Sequence, residues 1–283
     1  MARPLRERIA AGRQALVDSG IRPDAAAVDA DVLARHVLGW ERARLVACGR
    51  DPEPAGFGTI FMQLIARRIN REPVALITGH KEFWGLDFTV TRATLIPRPE
   101  TELIVEEALR RIPAEAPATI LDIGTGTGCL AVALAHERPR AAVVATDISQ
   151  EALLVARCNA QAHGVSSRVR LVRTDLAAGL RLRADLVVSN PPYVPDEAAP
   201  TLSADVFVYE PFVALFGGEG GMHVIRQLLA GAHAVLAEDG SLIVEFGDGQ
   251  EDAVRAAAED AGWRVERVLE DLQGIARTVV LRR

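Results

Sequence analysis

The sequence predicts a doubly wound α/β sheet behind a small helical domain, and three observations carry that expectation. From Thr101 onward short apolar strands alternate with helical stretches, the pattern of a parallel sheet covered on both faces. The glycine run Gly124-Thr125-Gly126-Thr127-Gly128 falls where the first of these strands gives way to a helix. Before both, about Leu5 to Asn70 are rich in Ala, Leu and Arg at helical spacing. The chain's 283 residues are about twice a typical domain, and a hydrophobic fraction of 49% supports a sizeable core.

In the helical stretch, Ala30, Leu33, Ala34, Val37 and Leu38 follow the i, i+3, i+4, i+7, i+8 pattern. Pro23-Asp24, Gly39 and the run Asp51 to Gly56 divide it into several short helices. Between Thr78 and Thr94 the run Phe83 to Val90 places aromatic and β-branched residues about a Gly-containing turn, which predicts a β-hairpin. The expected domains are therefore a helical substrate-recognition domain over 1–75, a hairpin linker over 76–97 and a catalytic domain over 98–283. Within the last, strands are expected at Thr119–Ile123, Ala142–Thr146, Val169–Arg173 and Ala184–Ser189, with a helix at Cys129–Glu137. Further on come a helix around Met222–Ala237, a strand Ser241–Phe246, a helix Glu251–Ala261, and strands near Trp263–Leu269 and Ile275–Arg282.

The net charge of −6 divides unevenly, with 12 Arg against 9 acids in residues 1–77 and −9 left for the remainder. A dedicated nucleic-acid binder carries a strong basic excess, so nucleic acid is not expected as the direct substrate. The opening residues scatter Arg3, Arg6, Arg8 and Arg13 with no apolar block behind them, and no apolar run is of membrane length. Cys48, Cys129 and Cys158 lack CxxC spacing and a nearby His cluster, so they read as reduced thiols of a cytoplasmic chain with no metal.

The glycine loop marks close approach of a ligand to backbone, because glycine leaves room and tolerates φ > 0. A dinucleotide fingerprint would need glycine where this chain has Cys129. Asp147, at the end of the second strand, lies where such folds bond ribose hydroxyls. Asp122 and Asp175 add carboxylates at strand ends, as ligand contacts or as helix caps. A ligand with a ribose, a cationic centre and no phosphate fits, and S-adenosyl-L-methionine is such a ligand. Its ribose would meet Asp147, its adenine Asp175 and Leu176, and its methionine part the loop Gly124 to Gly128 with Thr125 and Thr127.

Asn190-Pro191-Pro192-Tyr193 follows the fourth strand directly. The Asn190 side-chain carbonyl and the Pro191 main-chain carbonyl can accept both hydrogens of a planar NH2 group, and Tyr193 can supply an aromatic wall. A conjugated amide nitrogen is a poor nucleophile, its lone pair delocalised as the ~18–20 kcal/mol peptide rotation barrier shows, so it must be held in position. The bland alternative is a turn, since Asn and Pro are turn formers.

Leu95-Ile96-Pro97-Arg98-Pro99-Glu100-Thr101-Glu102, Leu121 to Cys129, and Asn190 to Tyr193 together resemble the HemK/PrmC family of protein-(glutamine-N5) methyltransferases acting on peptide-chain release factors. The likeness extends to Tyr209-Glu210-Pro211, Gly217-Gly218, Glu245-x-Gly247-x-x-Gln250 and Asp271-Leu272-x-Gly274-x-x-Arg277, and spans essentially residues 70 to 282. It implies a class I S-adenosylmethionine-dependent methyltransferase: a Rossmann-like, mostly parallel seven-stranded sheet with an antiparallel last strand, after a small all-α domain and a hairpin. It also implies S-adenosyl-L-homocysteine as product and the glutamine of the Gly-Gly-Gln loop in class 1 release factors as substrate. Asn190, Pro191, Pro192 and Tyr193 would then be the catalytic residues, Asn190 would also border the cofactor, Arg98 would touch the substrate, and the chain would act as a monomer. The Asn-Pro-Pro-Tyr tetrapeptide occurs as well in adenine-N6 and guanine-N2 nucleic-acid methyltransferases. Ribosomal-protein glutamine methyltransferases are the other alternative, and they differ after Pro-Arg.

Overall fold

The computed structural model describes residues 3–283, so the first two positions of the expected helical domain lie outside the described residues. Five helices open the chain: α1 (Leu5–Asp18), α2 (Pro23–Leu38), α3 (Arg42–Ala47), α4 (Phe57–Ile69) and α5 (Val74–Thr78). A hairpin of β1 (His80–Phe83) and β2 (Leu86–Thr89) leads through a 3-10 turn, Pro99–Thr101, into α6 (Glu102–Arg111). Then follow β3 (Ala118–Ile123), α7 (Cys129–Glu137), β4 (Ala141–Asp147), α8 (Gln150–Ala162), β5 (Val169–Arg173) and β6 (Ala184–Ser189). Short helices α9 (Ala204–Tyr209) and α10 (Phe212–Leu215) precede α11 (His223–Ala232), β7 (Leu236–Glu245), α12 (Glu251–Asp260), β8 (Arg264–Glu270) and β9 (Ala276–Arg282).

Two compact units divide the chain. The helical unit runs to Gly79 and takes in Ser203–Tyr209. Pro23 opens α2, where a missing N–H costs nothing, and Gly39 ends it in the left-handed region at φ 63°. Leu5, Leu16, Leu33, Phe61 and Ile65 form its core. Gly12 lets α1 meet α4, since a Cβ there would lie 2.6 Å from the Phe61 ring. Arg68 ties the distant segment in, with Nε 2.7 Å from Asp29 Oδ2 and Nη1 2.6 Å from Asp205 Oδ2. The Tyr209 hydroxyl donates to the Asn70 carbonyl at 2.8 Å.

The second unit, His80–Leu202 with Glu210–Arg283, is built on a seven-stranded sheet of order β5-β4-β3-β6-β7-β9-β8. All neighbours are parallel except β9, which runs antiparallel to both β7 and β8. Strand residues alternate between two buried faces, with Ile120, Val143, Leu186, Ile243 and Val280 on one and Leu121, Val187, Leu242 and Leu281 on the other. Both faces are covered, which is why these strands are apolar throughout. Ile123 stands in register with Thr146 and Ser189, so β3, β4 and β6 end along a single edge. Strand order reverses at β3, the position where such sheets open a crevice for ligands.

In the hairpin, Trp84 (φ 54°) and Gly85 (φ 69°) make the two-residue left-handed turn that matches strand twist. Phe83 and Phe88 pack edge-on inside the core of the main sheet. Asn159 on α8 clasps β2 by accepting from the Thr89 N–H and donating to the Thr89 carbonyl, and it also donates to Thr127 in the glycine loop. Two expected domain boundaries move: the helical domain expected to end at 75 runs through α5 to Gly79, and the hairpin expected from 76 starts at His80 and packs into the core of the sheet unit. The helix from 222 stops at Ala232, and β7 starts at Leu236 and passes through Glu238-Asp239-Gly240. Its pairing with β6 is irregular between Ala184 and Leu186, and a Cβ at Gly240 would lie 3.0 Å from the Ala184 carbonyl. A bulge that admits only glycine therefore hides a strand inside a polar stretch. Among the described residues no helix is long and apolar enough to cross a membrane.

Arg68→Ala leaves Asp29 and Asp205 without their shared partner. The helical unit is expected to lose about 1.5–3 kcal/mol in denaturant unfolding followed by circular dichroism. An unchanged midpoint would show that the pairings are dispensable.

Candidate active site

A cavity of about 420 Å³ opens at the common edge of β3, β4 and β6. Gly124, Thr125, Gly126, Thr127, Asp147, Asp175, Leu176, Asn190, Pro192 and Arg98 all line it. Gly124 (φ 75°) and Gly126 (φ 55°) would project any Cβ into open space, so their backbone is bare to a ligand. Gly128 (φ 81°) serves packing, since a Cβ there would press on Ala156 of α8 at 3.0 Å.

The loop amides are already engaged. The N–H groups of Gly124 and Thr125 donate to the Thr146 carbonyl, that of Gly128 to Thr125, and that of Gly126 to Asp147 Oδ2 at 2.9 Å. A phosphate cradle needs free N–H donors, so this loop suits a ligand without phosphate. Asp147 Oδ1 accepts from the Ser149 N–H at 2.9 Å, which holds the carboxylate in place on the cavity wall with acceptor capacity to spare. Burial raises the Asp147 pKa. Asp122 lies fully buried beneath the loop and accepts from the Thr125 hydroxyl at 2.6 Å. Burial pushes its carboxyl to about 7, and Oδ1 has no partner among the described residues. Carboxylates here, and no cation on the cavity wall among the described residues other than Arg98, which is paired with Glu210, fit a ligand that brings a positive charge and hydroxyls.

Beside this cradle, the Asn190 Nδ2 donates to Thr101 Oγ1 at 2.9 Å. The Thr101 hydroxyl donates to Glu245 Oε2 at 2.7 Å, and the Tyr193 hydroxyl to Glu245 Oε1 at 3.2 Å. Among the described residues neither Asn190 Oδ1 nor the Pro191 carbonyl receives a donor. Burial lifts Glu245 to about 7, against the two hydroxyl bonds, and raises the Tyr193 phenol as well. The main chain of the tetrapeptide is held from outside, because two prolines remove its own donors. Gln250 Nε2 donates to the Tyr193 carbonyl at 2.9 Å and to Gly220 at 3.0 Å, while its Oε1 accepts from Gly247 at 2.8 Å. Val194 exchanges backbone bonds with Leu215 and Gly217. Gly217 and Gly221 sit against the segment so closely that a Cβ would fall 2.5 Å from the Pro192 carbonyl and 1.9 Å from the Tyr193 carbonyl.

Pro191 and the Tyr193 ring do not line the cavity; Pro191 is buried, and the ring packs toward the core face that carries α11. Arg98 lines the cavity with one arm on the buried Glu210 carboxylate at 2.6 Å, whose other oxygen accepts from the Ile96 N–H. That pair fixes the Ile-Pro-Arg-Pro segment to Glu210. Cys129 also borders the cavity, its thiol pushed up to about 12 by burial and so unreactive near neutral pH. Sequence reasoning missed Thr101 as a partner of Asn190, and it missed the apolar wall of Ile148, Phe212, Val213 and Phe216. Ile148, Phe212 and Val213 are half or more exposed, yet apolar residues beside strands and helices read as core in a sequence.

The sheet order, with the glycine loop at its strand ends, is that of a class I methyltransferase. Residues 101–215 match the family model of the methyltransferase small domain, and residues 7–79 that of the PrmC N-terminal domain. A release factor glutamine methyltransferase from Cereibacter sphaeroides is 44% identical, over 92% of each chain. One from Moorella thermoacetica is 45% identical over 93% of this chain and 95% of its own. A methyltransferase structure from Pyrococcus furiosus shares the fold at TM-score 0.54 and 20% identity, over 76% of this chain and 95% of that one. The chain belongs to the release factor glutamine methyltransferase family.

Gly221→Ala forces the tetrapeptide off its support. Methyl transfer is expected to fall by about tenfold or more, with the far-ultraviolet circular dichroism spectrum unchanged. Wild-type turnover in this variant would mean the segment tolerates displacement.

Proposed function

We propose that the protein transfers the methyl group of S-adenosyl-L-methionine to the side-chain amide nitrogen of the glutamine in the Gly-Gly-Gln loop of class 1 peptide-chain release factors. It does so in the cytoplasm, as a monomer. The observation that carries the reading is Asn190 Oδ1, an acceptor on the cavity wall that receives no donor among the described residues, next to a glycine cradle suited to a cationic, phosphate-free ligand. The nucleic-acid and ribosomal-protein alternatives are set aside, because relatives at this identity carry the release-factor name.

When bound, S-adenosyl-L-methionine supplies an electrophilic methyl carbon: the amide nitrogen takes it, the carbon–sulfur pair stays on sulfur, and S-adenosyl-L-homocysteine leaves. Asp147 would hold the ribose, Asp175 and Leu176 the adenine, Thr125 and Thr127 with the three loop glycines the methionine part, and the open side of Asn190 the border with the acceptor. Asn190 Oδ1 accepts one amide hydrogen and turns the nitrogen toward the methyl carbon; the Pro191 carbonyl, set back from the cavity in this structure, would accept the second once the glutamine is seated. Positioning of this kind contributes up to ~7–11 kcal/mol in favourable cases. No side-chain base is required, since the methylated nitrogen is acidic and releases its proton to water. Pro192 shapes the slot, the Tyr193 hydroxyl braces Glu245 behind it, and Arg98 keeps its segment at the mouth.

Asn190→Ala is expected to bind S-adenosyl-L-methionine as the wild type does in calorimetry while kcat falls about 10- to 100-fold, the effect of ~1–3 kcal/mol of lost hydrogen bonding. Loss of cofactor affinity instead would make Asn190 a cofactor residue, and unchanged turnover would sink the clamp. Asp147→Ala is expected to raise the cofactor Kd by about tenfold or more. Unaltered affinity would refute the ribose assignment.

A further inference from the structure

We propose that Thr101 and Glu245 are positioning residues that set the polarity of the Asn190 amide, so that its carbonyl and not its NH2 group faces the methyl acceptor. This rests on the clamp reading of Asn190 given above. A side-chain amide has nearly the same shape either way round, and only its partners decide which end points where. Thr101 has a single hydrogen, which it gives to Glu245 Oε2 at 2.7 Å. What remains toward Asn190 is a lone pair, and only the NH2 end can meet a lone pair; the bond is 2.9 Å. Asn190 Oδ1 is thereby turned to the cavity. Glu245 is fully buried, and its other oxygen accepts from the Tyr193 hydroxyl, so as a carboxylate it is an acceptor at both ends.

Protonation reverses the chain. A proton on Glu245 Oε2 would be donated to Thr101 Oγ1, freeing the threonine hydrogen for an amide carbonyl. Asn190 then turns over and presents NH2 to the acceptor's own NH2. Glu245 is faced by Thr101 and Glu100 from the turn before α6, by Tyr193, by Cys129 at the start of α7, and by Arg277 on β9. Arg277 is itself held by Asp271 at 3.0 Å and lies near Asp248, while Arg98 acts on Tyr193. Burial and Glu100 hold the carboxyl up at about 7, so it ionises as pH rises through neutrality and the productive polarity appears with it. Asp122 titrates in the same range beneath the glycine loop, so the pH profile needs a variant to separate the two.

The test compares kcat against pH, with calorimetric affinity for S-adenosyl-L-methionine, for the wild type, Thr101→Val, Thr101→Ser, Glu245→Gln and Asn190→Ala acting on a purified class 1 release factor. Thr101→Val is expected to lower kcat by about tenfold or more at a cofactor Kd within about twofold, with Thr101→Ser within about threefold of the wild type. Glu245→Gln, whose amide can present either end, is expected to lower kcat and to lose the fall in activity below about pH 7 that the wild type shows. Wild-type turnover in Thr101→Val, an equal loss in Thr101→Ser, or the same acid limb in Glu245→Gln would each overturn the proposal. Asn190→Ala distinguishes the levels. If it is inactive while Thr101→Val is active, the relay alone falls; if it is fully active, the clamp falls and the relay with it.

Discussion

The proposed chemistry rests on a largely buried chain of hydrogen bonds that runs from Asn190 through Thr101 to Glu245 and back to Tyr193. It couples three parts of the catalytic unit that are far apart in sequence: the turn before α6, the segment after β6 and the end of β7. Each bond in such a network is worth more for being out of water, and each unpaired member costs more for the same reason. That is why a fully buried carboxylate is tolerated here, with a hydroxyl donating to each of its oxygens.

The second constraint is backbone. Asn190-Pro191-Pro192-Tyr193 leaves a strand end with no N–H on its two prolines, so it cannot anchor itself as a turn or a strand would. Gln250, Val194 and the glycines Gly217 and Gly221 supply that anchoring from later in the chain. The motifs scattered from residue 209 to 250 are therefore one structural device read in pieces. Glu210 performs the same service for the stretch before Thr101, by holding Arg98 and the Ile96 N–H at once.

Much of the fold was legible because its causes are local. Apolar runs ending at Ile123, Asp147 and Ser189 are strands whose period and termini follow from burial on both faces, and Trp84-Gly85 announced its turn. The start of β7 was hidden, since Glu238-Asp239-Gly240 reads as a loop unless the bulge opposite Ala184 is known. At the site, type and spacing singled out Asn190, Asp147, Gly124 and Gly126, and all four line the cavity, while Gly128 packs on α8 instead. Thr101 was not legible: a threonine after Pro99-Glu100 looks like the start of a helix, and its bond to Asn190 spans 89 positions of sequence. The apolar wall of the cavity was equally silent, because exposure and not residue type distinguishes Ile148 and Phe212 from core.

The clamp and the family assignment meet in one question, which atom receives the methyl group. Incubating the protein with labelled S-adenosyl-L-methionine, a class 1 release factor, its Gly-Gly-Gln to Gly-Gly-Glu variant and duplex DNA, and locating the label by mass spectrometry, answers it directly. The account predicts label on the loop glutamine amide and none on the variant or the DNA. Label on DNA, or on the loop variant at equal yield, would contradict it.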